Sequence, residues 1–193
     1  TFQLHKNELW GGADRLVLKV WDTEKFQLVR NIKLEIDHLL PCGEDTSDSF
    51  IQQIRFSDNH IWLGCAKHLI CVEKESVIPI RALSGHKLKI NHILVNDNRV
   101  WTCGADDAVR VWDSNTFECL QVFSELGGQQ YTMLRIGVHI WVGSWDGIRV
   151  FNAKTAQLIK VLEHKHQDSI VAFTQALGAV WAGSWDCTIS IWG

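Results

Sequence analysis

Apolar and polar residues alternate along most of the chain. Val109 and Val111, or Ile189 and Ile191, are separated by Arg110 and Ser190, and this period of two predicts half-buried strands. From Asn91 to Ser124 the alternation resolves into four short strands, at 90 to 95, 99 to 104, 108 to 113 and 118 to 123. Asn96-Asp97-Asn98, Ala105-Asp106-Asp107 and Ser114-Asn115-Thr116 separate them, and all are rich in turn-forming residues. No long segment carries a helical stripe. The pattern predicts an all-β chain.

The strands recur. An aliphatic residue followed by Trp appears at Leu9-Trp10, Ile61-Trp62, Val100-Trp101, Ile140-Trp141 and Val180-Trp181, spaced by 52, 39, 40 and 40 residues. The flanking text recurs as well: IWVGSWDGIRVF from Ile140, VWAGSWDCTISIW from Val180, VWTCGADDAVRVW from Val100 and LWGGADRLVLKVW from Leu9, with a degenerate copy, IWLGCAKHLICVE, from Ile61. Four strands per ~40 residues is the arithmetic of a propeller blade.

With Gly85-His86 ahead of a copy, Asp106 in a tight turn, and Trp112-Asp113 and Trp21-Asp22 closing third strands, the chain resembles the WD-repeat, or β-transducin repeat, family over nearly its whole length. The resemblance implies blades at about 1–34, 50–83, 86–124, 127–163 and 166–193, four and three-quarters in all, within a propeller of about seven. The remaining blades are expected from the same longer chain or from a second subunit. It also implies a hydrogen-bonded chain of His, Ser or Thr, Asp and Trp inside a blade. His86, Thr102, Asp106 and Trp112 match all four places. The last copy keeps His166, Asp186 and Trp192 but has Ala182 at the hydroxyl place. The fourth copy has Leu126 and Phe151 at the His and Trp places, the second has Ser47, Leu63, Lys67 and Glu73, and the first has Arg15 at the Asp place. Apolar packing and ladders are therefore expected to hold most blades.

One insertion, 35–49, breaks the period. Asp37, Glu44, Asp45, Asp48, Pro41 and Gly43 make it an acidic, mobile loop, or else a docking or phosphorylation segment through Thr46, Ser47 and Ser49.

Composition narrows the chemistry. Nineteen Lys and Arg against 22 Asp and Glu leave a net charge of -3, with no excess to neutralise phosphates, so no nucleic-acid partner is expected. No apolar run approaches the ~20 residues of a membrane span, and no membrane insertion is expected. Six scattered Cys without a CxxC pair point to reduced cytosolic thiols. His60, Cys65, His68 and Cys71 lie close in sequence, but their spacing around a strand turn does not suit zinc. No Gly-rich phosphate loop with Lys, no GxSxG and no HExxH occurs, so the chain is expected to be no enzyme and to carry no cofactor.

Surface remains. The family resemblance places partner contacts on the narrow top face, carried here by Trp145 and Trp185, with Lys89, Asn91, Gln129, Tyr131, Ser169 and Gln52 around them. Exposed tryptophans are strong contact anchors; alternatively each ring lies flat over a neighbouring blade. The chain reads as a non-catalytic interaction scaffold for a protein or peptide. A second reading is a regulatory domain of a larger cytosolic signalling or trafficking enzyme, since IWxGSWD repeats look like those on DENN-domain Rab exchange factors and leucine-rich-repeat kinase-GTPases.

Overall fold

A computed structural model describes residues 1–13, 15–44, 50–163 and 166–193, with Glu163 by its backbone only. The described residues form five antiparallel sheets, each a meander in chain order, with no α-helix among them. The first sheet is β1 (Phe2–His5), β2 (Glu8–Gly12), β3 (Val17–Asp22) and β4 (Gln27–Lys33). The second is β5 (Ile51–Phe56), β6 (His60–Cys65), β7 (His68–Glu73) and β8 (Pro79–Leu83). The third is β9 (Ile90–Asn96), β10 (Arg99–Gly104), β11 (Val109–Asp113) and β12 (Cys119–Phe123). The fourth is β13 (Gln130–Ile136), β14 (His139–Ser144), β15 (Gly147–Asn152) and β16 (Leu158–Glu163). The fifth has three strands, β17 (Ile170–Ala176), β18 (Ala179–Ser184) and β19 (Ile189–Trp192).

Local chemistry closes the hairpins. After the third strand of a sheet, one side-chain oxygen accepts two backbone N–H groups: Asp22 Oδ1 from Glu24 and Lys25, Asp113 Oδ1 from Asn115 and Thr116, and Asn152 Oδ1 from Lys154 and Thr155. Phe117, Ala156 and Val77 then adopt positive φ, and each donates its amide to the carbonyl four residues back. The Asp of the Trp-Asp phrase is thus a turn cap, which Asn152 replaces without loss.

The chain divides into two compact units, Thr1–Val95 and Asn96–Gly193. In the first, β5 packs against β1 and β2. Leu18 and Val20 of β3 are buried with Ile51, Ile54, Ile61, Leu63, Ile70 and Val72, each contributing on the order of 2 kcal/mol by its burial. In the second unit β13 packs on β10, and β17 packs on β13 and β14. The small residue two places after the repeated Trp allows this. A Cβ on Gly12 would lie 2.7 Å from the Ile51 carbonyl oxygen, and one on Gly143 would lie 3.0 Å from that of Ile170. Cys103 fills the same place in β10 and sets its sulfur 3.6 Å from the Gln130 carbonyl oxygen.

Two expectations are corrected here. The insertion is not a mobile acidic loop over its described part. Ile36 is buried with Leu34 in the first unit's core, Leu40 packs against it, and a 3-10 turn spans Asp37–Leu39. Glu44 pairs with Lys67 Nζ at 2.8 Å and with His68 Nε2. Apolar residues between the acids anchor the segment. Asp45, Thr46, Ser47, Asp48 and Ser49 lie outside the described residues. In the second sheet the ladder sets Val72 opposite Ile61 and Glu73 opposite His60. Trp112 stands opposite Val100, and Asp113 opposite Arg99. Val72 therefore holds the place of the third-strand Trp, and Glu73 that of the following Asp.

Candidate functional site

The turns at one end of the strands in the second unit carry Asp106, Trp145, Gln129, Ser169, Trp185 and Asp186. In the third sheet, Trp112 Nε1 donates to Thr102 Oγ1 at 2.9 Å in a buried contact, which commits that hydroxyl to the fold. Asp106 lies in the following turn, and His86, in the first unit, is buried.

The fifth sheet lacks a hydroxyl at Ala182 and recovers one across the ladder. Ala182 stands opposite Ser190. Ser190 Oγ lies 2.7 Å from His166 Nε2 and accepts Trp192 Nε1 at 2.8 Å. His166 Nδ1 faces Thr188 Oγ1 at 2.8 Å and Asp186 Oδ2 at 3.2 Å. Hydrogen bonds from the Thr188 hydroxyl and amide and the Gln167 amide hold the Asp186 carboxyl well below the usual carboxylate range, against the upward pull of burial.

The fourth sheet uses a different cation. The Arg149 guanidinium grips Asp146 with two hydrogen bonds, at 2.8 and 2.9 Å, and donates to Ser144 Oγ at 2.9 Å. Ser144 in turn donates to Asp146 Oδ1 at 2.7 Å. Burial pushes the Asp146 carboxyl up, but the Arg149 and Ser144 hydrogen bonds and the Arg149 charge outweigh it, and the carboxyl sits below its ordinary range. A Cβ on Gly127 would fall 2.2 Å from Asp146 Oδ2, so this turn requires glycine beside it. Apolar packing alone therefore does not hold this sheet, contrary to expectation. The signal was present: Arg149 and Ser190 both stand two residues before a third-strand aromatic, and so on its face of the strand.

Trp145 and Trp185 sit in these same turns, 53% and 59% exposed. Tyr131 meets Trp185 edge to face at 4.9 Å. Gly128 lies against Trp145, its Cβ position 3.5 Å from that of the tryptophan, and its amide donates to Asp107 Oδ1 at 2.9 Å. Gln129 is exposed beside it. Ser169 is a correction: it is 1% exposed and lies below the surface, where its carbonyl accepts the Trp185 amide at 3.1 Å. Lys89, Asn91 and Gln52 belong to the first unit; Lys89 is exposed and the other two are half-buried.

The His and Cys residues weighed for metal are strand residues. Cys65 and His68 face each other across a two-residue turn, and burial pushes the Cys65 and Cys71 thiols up to about 12. The first unit also holds a cleft of about 570 Å³ in which His5 stacks on Phe56 at 4.2 Å and Arg30 lies 4.8 Å over Trp10.

Five antiparallel sheets of three or four strands, locked by such turns, are blade-like. No protein-family model matches the chain. It is similar to the WD repeat-containing protein 89 homolog of Dictyostelium discoideum, 23% identical over 66% of this chain and 36% of that protein. It also resembles two other proteins of that organism. The Rho GTPase-activating protein gacL is 28% identical over 50% of this chain and 14% of its own length. The probable serine/threonine-protein kinase pats1 is 22% identical over 97% of this chain and 7% of its own length. The chain thus spans well under half the length of these curated relatives. Among solved structures, the computationally designed Ika4 protein superposes with a TM-score of 0.65 at 24% identity, covering 74% of this chain and 89% of that one. No helix among the described residues is long and apolar enough to cross a membrane.

Proposed function

We propose that the chain is a WD-repeat β-propeller segment that carries no chemistry of its own and binds a cytosolic protein or peptide through the turn face of Trp145 and Trp185. One observation carries the reading: two tryptophans at the same place in successive repeats lie more than half exposed, where the other repeated tryptophans are buried or half-buried. Such rings bury large area with few rotatable bonds. The likeness to a WD repeat-containing protein supports an interaction role. Capture on the immobilised chain, with bound proteins identified by mass spectrometry, tests it against the Trp145→Ala/Trp185→Ala variant. A protein set lost by a variant that melts within a few degrees of the parent supports the reading; a set retained by it overturns it.

The relatives favour a second reading, in which the segment belongs to a larger signalling enzyme, because two of them are a GTPase-activating protein and a kinase, both several times its length or more. A catalytic domain in the full reading frame decides for that reading.

A further inference from the structure

Charge separates sharply between the two ends of the strands in the second unit. The turns at the Trp145 end are 105–108, 124–129, 145–146, 166–169 and 185–188 among the described residues. Their described residues contain six carboxylates, Asp106, Asp107, Glu125, Asp146, Asp168 and Asp186, and no Lys or Arg; in sequence Lys165 directly precedes the 166–169 turn, so acids outnumber cations six to one there. Arg149 lies on β15 with its side chain 8% exposed and is committed to Asp146. The turns at the opposite end mix Asp97 and Glu118 with Lys154, and Arg135 pairs with Asp97 there.

Acids and rings share these turns. Asp107 holds the Gly128 amide, Gly128 lies against Trp145, and Asp146 follows Trp145 in the same turn. Trp185 meets Tyr131, and its amide is held by Ser169, whose own amide donates to Asp168 Oδ1 at 2.6 Å. Ser169 Oγ, buried at this point, has no hydrogen-bond partner among the described residues.

We propose that this rim docks a basic, arginine-bearing peptide segment of a partner protein. The inference rests on the binding-face reading above and adds the partner's chemistry. An indole face attracts a guanidinium, more weakly hydrated than an ammonium, and flanking carboxylates supply its counter-charge. A polyanion is repelled by the same groups.

Titration of the full chain with a short Arg-Gly peptide tests this, read by tryptophan fluorescence and calorimetry, with Glu-Gly and neutral Phe-Gly peptides alongside. The Arg-Gly peptide is expected to bind with Kd below about 1 mM and to weaken severalfold between about 0.05 and 0.5 M salt. Trp185→Ala is expected to weaken it about tenfold, and Asp168→Asn with Glu125→Gln to flatten the salt dependence, both at unchanged melting temperature. Equal or tighter binding of the Glu-Gly peptide overturns the proposal, as does no binding of the Arg-Gly peptide. If only the Phe-Gly peptide binds, and Trp145→Ala/Trp185→Ala removes it, the rim remains a docking face and the basic assignment fails. Arg-Gly binding that survives both tryptophan substitutions overturns the site and the reading beneath it.

Discussion

The third and fifth sheets carry the same pattern and stand in different surroundings. Val109 and Val111 on β11 are fully buried; Ile189 and Ile191, at the same places on β19, are 67% and 52% exposed. In the fourth sheet Ile148 and Val150 are buried beneath β17, where Ile170 and Phe173 reach them. Each sheet's apolar face is thus covered by the next sheet's first strand, and β19 has no such cover among the described residues. Gly183 reports the same difference. A Cβ there would touch only Ala172, at 3.8 Å, whereas its counterpart Gly143 is pressed against Ile170. An apolar alternation therefore specifies a strand and a face, and its energetic value depends on what arrives to cover it.

This contrast sets the expected effects of substitution. Val109→Lys, which buries an unpaired ammonium, is expected to destabilise by more than about 3 kcal/mol in urea melts. Arg149→Ala strips Asp146 and Ser144 of their cation. It is expected to cost roughly 2 to 3 kcal/mol, less than a fully buried pair because the Asp146 side chain is 39% exposed. An indistinguishable melt for that variant rejects a working network in the fourth sheet. Ser190→Ala separates His166 from Trp192 and is expected to cost roughly 1 to 2 kcal/mol. Thr102→Val in the third sheet should show a similar loss, since Trp112 Nε1 loses its acceptor.

Acid should report the two turn carboxylates. Asp146 and Asp186 both titrate below the ordinary carboxylate range in the folded chain. Their stabilisation is therefore complete above the unfolded carboxylate value of about 4 and is lost as pH falls through the lower folded values. Melting temperatures taken from about pH 5 to pH 2 should fall, and Asp186→Asn should make that slope shallower. An unchanged slope rejects the role assigned to Asp186. The smallest effect is expected for Ile189→Lys, within about 0.5 kcal/mol of the parent. A loss matching Val109→Lys there means that the β19 face is covered in solution.

Much of the fold was legible in the sequence because its causes are local. Period-two alternation placed the strands from Ile90 to Phe123 to within about a residue, and the Asp113 and Asn152 caps act on amides two and three residues away. The repeat also put Trp145 and Trp185 in equivalent turns. Tertiary structure decided the rest, because it depends on distances between residues far apart in the chain. Ser190 substitutes for the hydroxyl missing at Ala182 only because the ladder sets the two opposite each other. Arg149, by contrast, meets a turn carboxylate only three residues away in its own hairpin, and that spacing was open to the sequence. The insertion, acidic by composition, is held by Ile36 and by Glu44 against Lys67, since burying a few apolar groups and pairing one charge outweighs its overall polarity. The sequence by itself determined strands, turns and period; which apolar faces are covered and which polar groups find partners is set by packing, where one residue's neighbours lie many residues away.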